Sequence, residues 1–222
     1  MRSSRRSQQT SSGVMLLRRL ATSASAALRG GANDGGVLAA VRAEIADELS
    51  SSPSLPSLKS QDVPGFSIVS DAPRGQDVLL RRRDSSEEVL VSALLAPLRF
   101  EGETPLPRDA LMKVFISKPG VKPVLRFDCR AYAEEGDGGD SDYDITAVWY
   151  HLFPGDAGED KYEGPVFRYL DPRLQLIFDR YLQARGVNSK LASSVRHHLI
   201  QKEHVQYVSW LKSLEEMFSK DH

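Results

Sequence analysis

The chain has 222 residues, 29 of them basic and 30 acidic, with 41% hydrophobic residues and a single cysteine. That length allows one domain of ordinary size, and no run approaches the roughly 18 apolar residues that a membrane-spanning helix needs. A lone cysteine excludes an internal disulfide, and the formal net charge of −1 averages over two unlike segments.

The first segment carries Arg2, Arg5, Arg6, Arg18, Arg19 and Arg29, with no Asp or Glu before Asp34. An arginine- and serine-rich, acid-free head with a short apolar patch at Val14, Met15, Leu16, Leu17 and Leu20 has the composition of an organelle transit peptide. Residues 1–32 are therefore read as a disordered transit peptide. Mitochondrial and plastid addresses overlap in composition, whereas a secretory signal fits less well because Arg18 and Arg19 interrupt the apolar run. Without those six arginines, 23 basic residues face 30 acidic ones, so the body, residues 33–222, sits near about −7.

In the body, Val37, Leu38, Val41, Ile45 and Leu49 recur at helical spacing, with Arg42, Glu44, Asp47 and Glu48 largely on the other side. This predicts an amphipathic helix over 37–49. A Ser- and Pro-rich linker follows over 50–64. Short apolar or alternating runs then predict strands over 66–70, 77–83, 88–95, 111–117, 124–133, 143–152 and 162–169, separated by Gly, Pro, Asp and Ser turns. Turns that short make neighbours antiparallel, giving a twisted sheet of about seven strands over 66–169. Cys129 alternates with Phe127 and Ala131, which favours a buried thiol, although Arg126 and Arg130 nearby keep a reactive one open.

Asp171 before Pro172 marks a helix start and Gly186 a left-handed stop, so a helix is predicted over 171–186. A last helix follows over 189–220, capped by Asn188 or Ser189. At 1.5 Å per residue it is some 45 Å long, and Leu191, Val195, Leu199, Val205, Val208, Leu211, Leu214 and Phe218 give it more apolar surface than one small sheet can cover. Either the first helix or another subunit must cover the rest. Val205, Val208, Leu211, Leu214 and Phe218 are the candidate oligomer contacts. One helix before the strands and two after them make the fold class α+β.

The sequence offers little chemistry. Glu134, Glu135, Asp137, Asp140, Asp142 and Asp144 form an acidic loop between two strands. Asp140, Asp142 and Asp144 match the first three ligand spacings of an EF-hand, but Ile145 stands where that loop needs Gly and His151 where it needs Glu. The loop is read as a solvated candidate site for basic partners, with no metal. His197, His198 and His204 share the last helix without the spacing of a His-Glu-x-x-His zinc site. Nucleophile-elbow, Walker and dinucleotide motifs are absent from the sequence, so no catalytic or cofactor-binding residue is assigned. Arg81, Arg82 and Arg83 form a basic run, but aromatic residues do not interleave with it along the chain, and the acidic body disfavours phosphate backbones.

The stretch from Lys161 through Gly164-Pro165, Leu170-Asp171-Pro172-Arg173 and Arg185-Gly186-Val187-Asn188 to Trp210-Leu211, with Ser141-Asp142-Tyr143-Asp144 upstream, resembles the plant branch of the mitochondrial glycoprotein family. These are acidic matrix proteins related to the complement globular-head-binding protein, and the likeness covers about residues 37–220. The resemblance implies a coiled-coil pairing of first and last helices and a ring-shaped homotrimer with helices on one side of the sheets. It also implies a non-enzymatic, chaperone-like binding scaffold of the mitochondrial matrix. Its partners would be basic proteins such as ribosomal proteins or assembly factors, and its role the support of oxidative phosphorylation and organellar gene expression. Two alternatives stay open: local nucleic-acid binding, and, less favoured, a small metal-dependent hydrolase on the histidine helix.

Overall fold

The strands lie where alternation puts them. In the computed structural model, which describes residues 34–51, 58, 63, 65–121, 124–133, 141–151 and 164–219, six strands form one sheet. They are β1 (Ser67–Ser70), β2 (Asp77–Arg83), β3 (Glu88–Leu95), β6 (Ala110–Ser117), β7 (Val124–Ala133) and β8 (Ser141–His151), antiparallel throughout in that order. A ribbon of two short strands, β4 (Phe100–Glu101) and β5 (Thr104–Pro105), turns at Gly102 and interrupts the meander between β3 and β6. α1 (Asp34–Ser50) precedes the sheet; α2 (Pro172–Gln183) and α3 (Ser189–Ser219) follow it.

Period-two alternation decides which side chains enter the core. Val78, Leu80, Val89, Val91, Ala110, Met112, Val114, Phe127, Cys129 and Ala131 all face inward and are buried. Leu182 of α2, Val187, and Leu191, Ala192, Val195 and Leu199 of α3 meet them there. Phe127 packs edge-on to Phe178 at 5.5 Å and lies 6.2 Å from Tyr181. Leu58 and Val63, in the stretch read as a linker, also enter this core, at 7% and 1% exposure. The far half of α3 leaves the sheet and carries α1 instead, around a satellite core of Val41, Ile45 and Leu211. Arg42 to Glu215, Glu44 to Tyr207 and Glu48 to His204 run in opposite sequence directions, so the two helices are antiparallel.

Several expectations need correction. The strand expected over 162–169 is not seen: 164–166 has no regular structure, Phe167–Tyr169 is a 3-10 turn, and 162–163 lie outside the described residues. Pro165 has no N–H to give a ladder, and Phe167 turns inward, 6.4 Å from Phe178. Among the described residues the sheet thus has six strands, with the ribbon as an addition the sequence reading lacked. Glu48, expected on the solvent side of the first helix, is buried. The helix expected over 171–186 closes at Gln183, and α1 runs from Asp34 to Ser50.

The turn between α2 and α3 is as expected. Asp171 accepts from the Arg173 N–H at 2.8 Å, and Asn188 Oδ1 accepts from the Leu191 N–H at 3.0 Å, so Asn188 is the second cap. Gly186 has φ 81°, while the Gly186 N–H donates to Gln183 and the Val187 N–H to Leu182, the paired bonds of a Schellman stop. Gly186→Val is expected to lower stability by about 1 kcal/mol or more, because a β-branched residue is strained at positive φ. An unchanged urea midpoint for that variant would contradict this.

Candidate functional site

The acidic hairpin joins β7 to β8. Glu134, Glu135, Asp137 and Asp140 lie outside the described residues, but its returning strand is well placed. Asp142 Oδ1 accepts from its neighbour's N–H (Tyr143, 2.8 Å) and from the Ser189 hydroxyl at 2.7 Å, tying the hairpin to the start of α3. Asp144 is exposed and sits on the rim of a groove of about 380 Å³ that also touches Leu106, Tyr132, Arg99, Asp109 and Arg130. Asp109 is only 4% exposed, and its Oδ2 accepts from Arg99 Nη2 at 2.6 Å and from Arg130 Nε at 2.6 Å. Behind it Arg196, also buried, donates from Nε to the Arg108 carbonyl at 2.8 Å and from Nη1 to Ser141 Oγ at 3.3 Å. Burial lowers the Arg196 pKa, and the Asp109 charge works against that. Beside the returning strand, one interior carboxylate, Asp109, is thus shared by Arg99 and Arg130, with the Arg196 cation close enough to feel its charge.

The three histidines do not converge. His198 is buried on α3; its Nδ1 accepts from the Leu58 N–H at 3.0 Å, so its neutral form carries the proton on Nε2, 2.9 Å from Asp71 Oδ2. Lys202 Nζ reaches the other Asp71 oxygen at 2.6 Å and the Asp77 carbonyl at 2.7 Å. His204 faces Glu48 of α1, and His197 is half-buried. His198 and His204 thus face two different carboxylates, Asp71 just after β1 and Glu48 on α1. Among the described residues no group of three or more His, Cys, Asp and Glu is placed to hold a metal ion.

Partial burial pushes the Asp71 carboxyl up, but the hydrogen bonds from Lys202 and His198 and their charges outweigh it, and the net shift is downward. A carboxyl lowered on folding adds stability above its unfolded value, about 3.9, and loses that contribution as pH falls through the folded value. Asp71→Asn should therefore flatten the acid limb of a stability-against-pH curve below about pH 4. An unchanged acid limb would contradict this role for the contact.

Burial pushes the Cys129 thiol up to about 12, which leaves it protonated and unreactive at neutral pH. The basic run divides as alternation requires. Arg82 turns to the helix side beside Gly65, while Arg81 and Arg83 point the other way and Arg83 Nη2 donates to Glu88 at 2.8 Å. One arrangement escaped the sequence reading. Register places Arg81, Leu90, Phe115, Arg126 and Trp149 in one row across five strands. Basic and aromatic residues do interleave there, but across strands, where no linear pattern shows it. Arg126 lies 5.3 Å from the Trp149 ring and donates to both oxygens of Asp128 at 2.7 and 2.6 Å, and Trp149 Nε1 adds a third bond to that carboxylate. At that end of the row Arg126, Trp149 and Asp128 form one hydrogen-bonded cluster between β7 and β8.

The profile of the mitochondrial glycoprotein family matches residues 43–218. The chain belongs to the mitochondrial glycoprotein family. Curated relatives of this family member include an uncharacterized mitochondrial protein of Arabidopsis thaliana, 26% identical over 68% of the chain and 62% of the relative. Another is the mitochondrial acidic protein mam33 of Schizosaccharomyces pombe, 31% identical over 45% of the chain and 38% of the relative. The chain thus spans less than two thirds of the length of either. Its fold is shared with the crystal structure of the Trypanosoma brucei p22 protein and with a Leishmania major protein described as a sequence homologue of human p32. Each has a TM-score of 0.63, at 21% and 19% identity, and the match covers 83% of this chain and 98% of each structure. The α+β architecture, with one helix before an antiparallel sheet and two after it, is the one those structures share. No helix among the described residues is long and apolar enough to cross a membrane.

Proposed function

We propose that this family member is a non-enzymatic, acidic binding scaffold of the mitochondrial matrix that assembles as a homotrimer and holds basic partner proteins. The observation that carries the reading is family membership across most of the chain, with a relative named as a mitochondrial acidic protein. The arginine-rich head serves as the mitochondrial address, and the body's excess of acidic over basic residues supplies the field that steers cationic proteins. Ribosomal proteins and assembly factors are the partners this charge suits, which connects the scaffold to organellar gene expression and oxidative phosphorylation. The acidic hairpin, ending in Asp142 and Asp144, is the proposed contact.

Oligomer contacts are proposed on the half of α3 that carries α1, at side chains left at least partly exposed. Val208 and Leu211 are buried within the chain, so the contacts fall to Val205, which is exposed, and to the half-exposed Leu214 and Phe218. Leu174, Leu176 and Ile177 on α2 present a second exposed apolar strip that another subunit would cover.

Two measurements test the proposal. Light scattering on the full chain should return three times the monomer mass, and a monodisperse monomer at micromolar concentration would reject the trimer. Crosslinking inside mitochondria should recover proteins rich in Lys and Arg, with yields that fall as salt rises. Recovery of partners without basic excess, or of RNA alone, would reject the scaffold reading in favour of its nucleic-acid rival.

A further inference from the structure

The groove beside β8 carries charges of both signs, set side by side. Arg99 gives one N–H to the buried Asp109 and Arg130 gives two, all to the same oxygen. A guanidinium has five N–H donors. The two side chains stay 48% and 40% exposed, so most of their donors reach no acceptor among the described residues, while Asp109 holds both forks in place. Asp144 is the cross-strand partner of Arg130, and such partners have Cα atoms about 4.5–5.5 Å apart. Its carboxylate makes no ion pair or hydrogen bond among the described residues. The Arg99 carbonyl accepts from the Leu106 N–H at 2.9 Å, which fixes the foot of the β4–β5 ribbon and brings Leu106 and Pro107 to the groove; Tyr132 lines it from β7. A volume of about 380 Å³ is within the usual range of a small-molecule site.

We propose that this groove binds a free α-amino acid with an apolar side chain, its carboxylate on the Arg99–Arg130 pair and its ammonium on Asp144. Two guanidiniums and two carboxylates leave the lining without net charge. A simple anion gains from the arginines but is opposed by Asp144, and a simple cation meets the reverse. A zwitterion gains from both. Its charges must be adjacent, because Arg130 and Asp144 are adjacent, and an α-amino acid carries both on one carbon. A peptide C-terminus lacks the ammonium and a peptide N-terminus the carboxylate, so neither chain end satisfies both sides. The ligand's side chain is left to Leu106, Pro107 and Tyr132, which favour an apolar group. Asp144 also ends the contact proposed above for basic proteins; this site rests on the groove alone and requires no protein partner.

Equilibrium dialysis of the full chain against radiolabelled L-phenylalanine should show saturable binding at one site per chain. As competitors, N-acetyl-L-phenylalanine lacks the ammonium and L-phenylalaninamide lacks the carboxylate. Each should bind about tenfold or more weakly than L-phenylalanine, the effect of losing one charge-assisted bond. Arg99→Gln should weaken L-phenylalanine by a similar factor. Asp144→Asn changes an exposed side chain, and should weaken L-phenylalanine about tenfold while strengthening N-acetyl-L-phenylalanine, which no longer meets a like charge. Absence of saturable binding at millimolar L-phenylalanine overturns the proposal. So does N-acetyl-L-phenylalanine competing as well as the unmodified amino acid, which would make the groove a plain anion site. Unaltered affinity in Arg99→Gln overturns it as well. Should Arg99→Gln fail to fold, Asp144→Asn decides, and an unchanged preference for L-phenylalanine over its N-acetyl form in that variant overturns the proposal.

Discussion

Asp109→Ala is expected to lower stability by about 1–3 kcal/mol, because it removes the buried acceptor that the partly exposed Arg99 and Arg130 share and a charge that favours the buried Arg196 cation. The carboxylate is 4% exposed and holds Arg99 and Arg130 on one oxygen, while Arg196 donates to the neutral Arg108 carbonyl and Ser141 Oγ. The same residue ties three segments together: its carbonyl accepts from the Ala96 N–H at 2.8 Å, and its side chain reaches β7. Asp109→Asn keeps the shape and one acceptor oxygen, so it should fall between the parent and the alanine variant. Urea midpoints with unchanged slopes would measure both. A loss below about 1 kcal/mol for Asp109→Ala would mean that the arginines around it find water or another acceptor.

Leu211→Asp is expected to separate α1 from α3 while the sheet stays folded. Leu211 is 4% exposed and supplies the α3 share of the satellite core, so a carboxylate there must be desolvated or must force the helices apart, at a cost of several kcal/mol. The main core does not include Leu211. Its strands, α2 and the first half of α3 should therefore keep their amide protection, whereas α1 loses its own. In the homotrimer proposed above, the uncovered face should also give species smaller than the parent assembly, or aggregates, by light scattering. Retained α1 protection with an unchanged mass would contradict both the placement of Leu211 and the need for that helix pair in assembly.

Local physics made much of the fold legible. β2, β3 and β7 start and stop where alternation and turn residues say, since burial on one face leaves only one register for Val78 and Leu80 against Val89 and Val91. Asp171, Gly186 and Asn188 act through bonds to residues within five positions, so their roles can be read without knowing the fold. The buried state of Cys129 followed from the same alternation.

Contacts distant in sequence decided the rest. Glu48 belongs by helical pattern to a solvated face, and only the antiparallel approach of α3, more than 150 positions away, buries it against His204. Leu58 and Val63 sit in a Ser- and Pro-rich stretch with no periodicity, yet the core has room for them and His198 supplies an acceptor for the Leu58 N–H. The row from Arg81 to Trp149 exists only in the register of five strands. By itself the sequence determined the class of the three long helices and of the six sheet strands, the turn at Gly186 and the acidic character of the body, because these depend on neighbours along the chain and on composition. Which charges became interior, and which histidine met which carboxylate, were decided by the tertiary structure, because burial of a polar group is set by what packs over it.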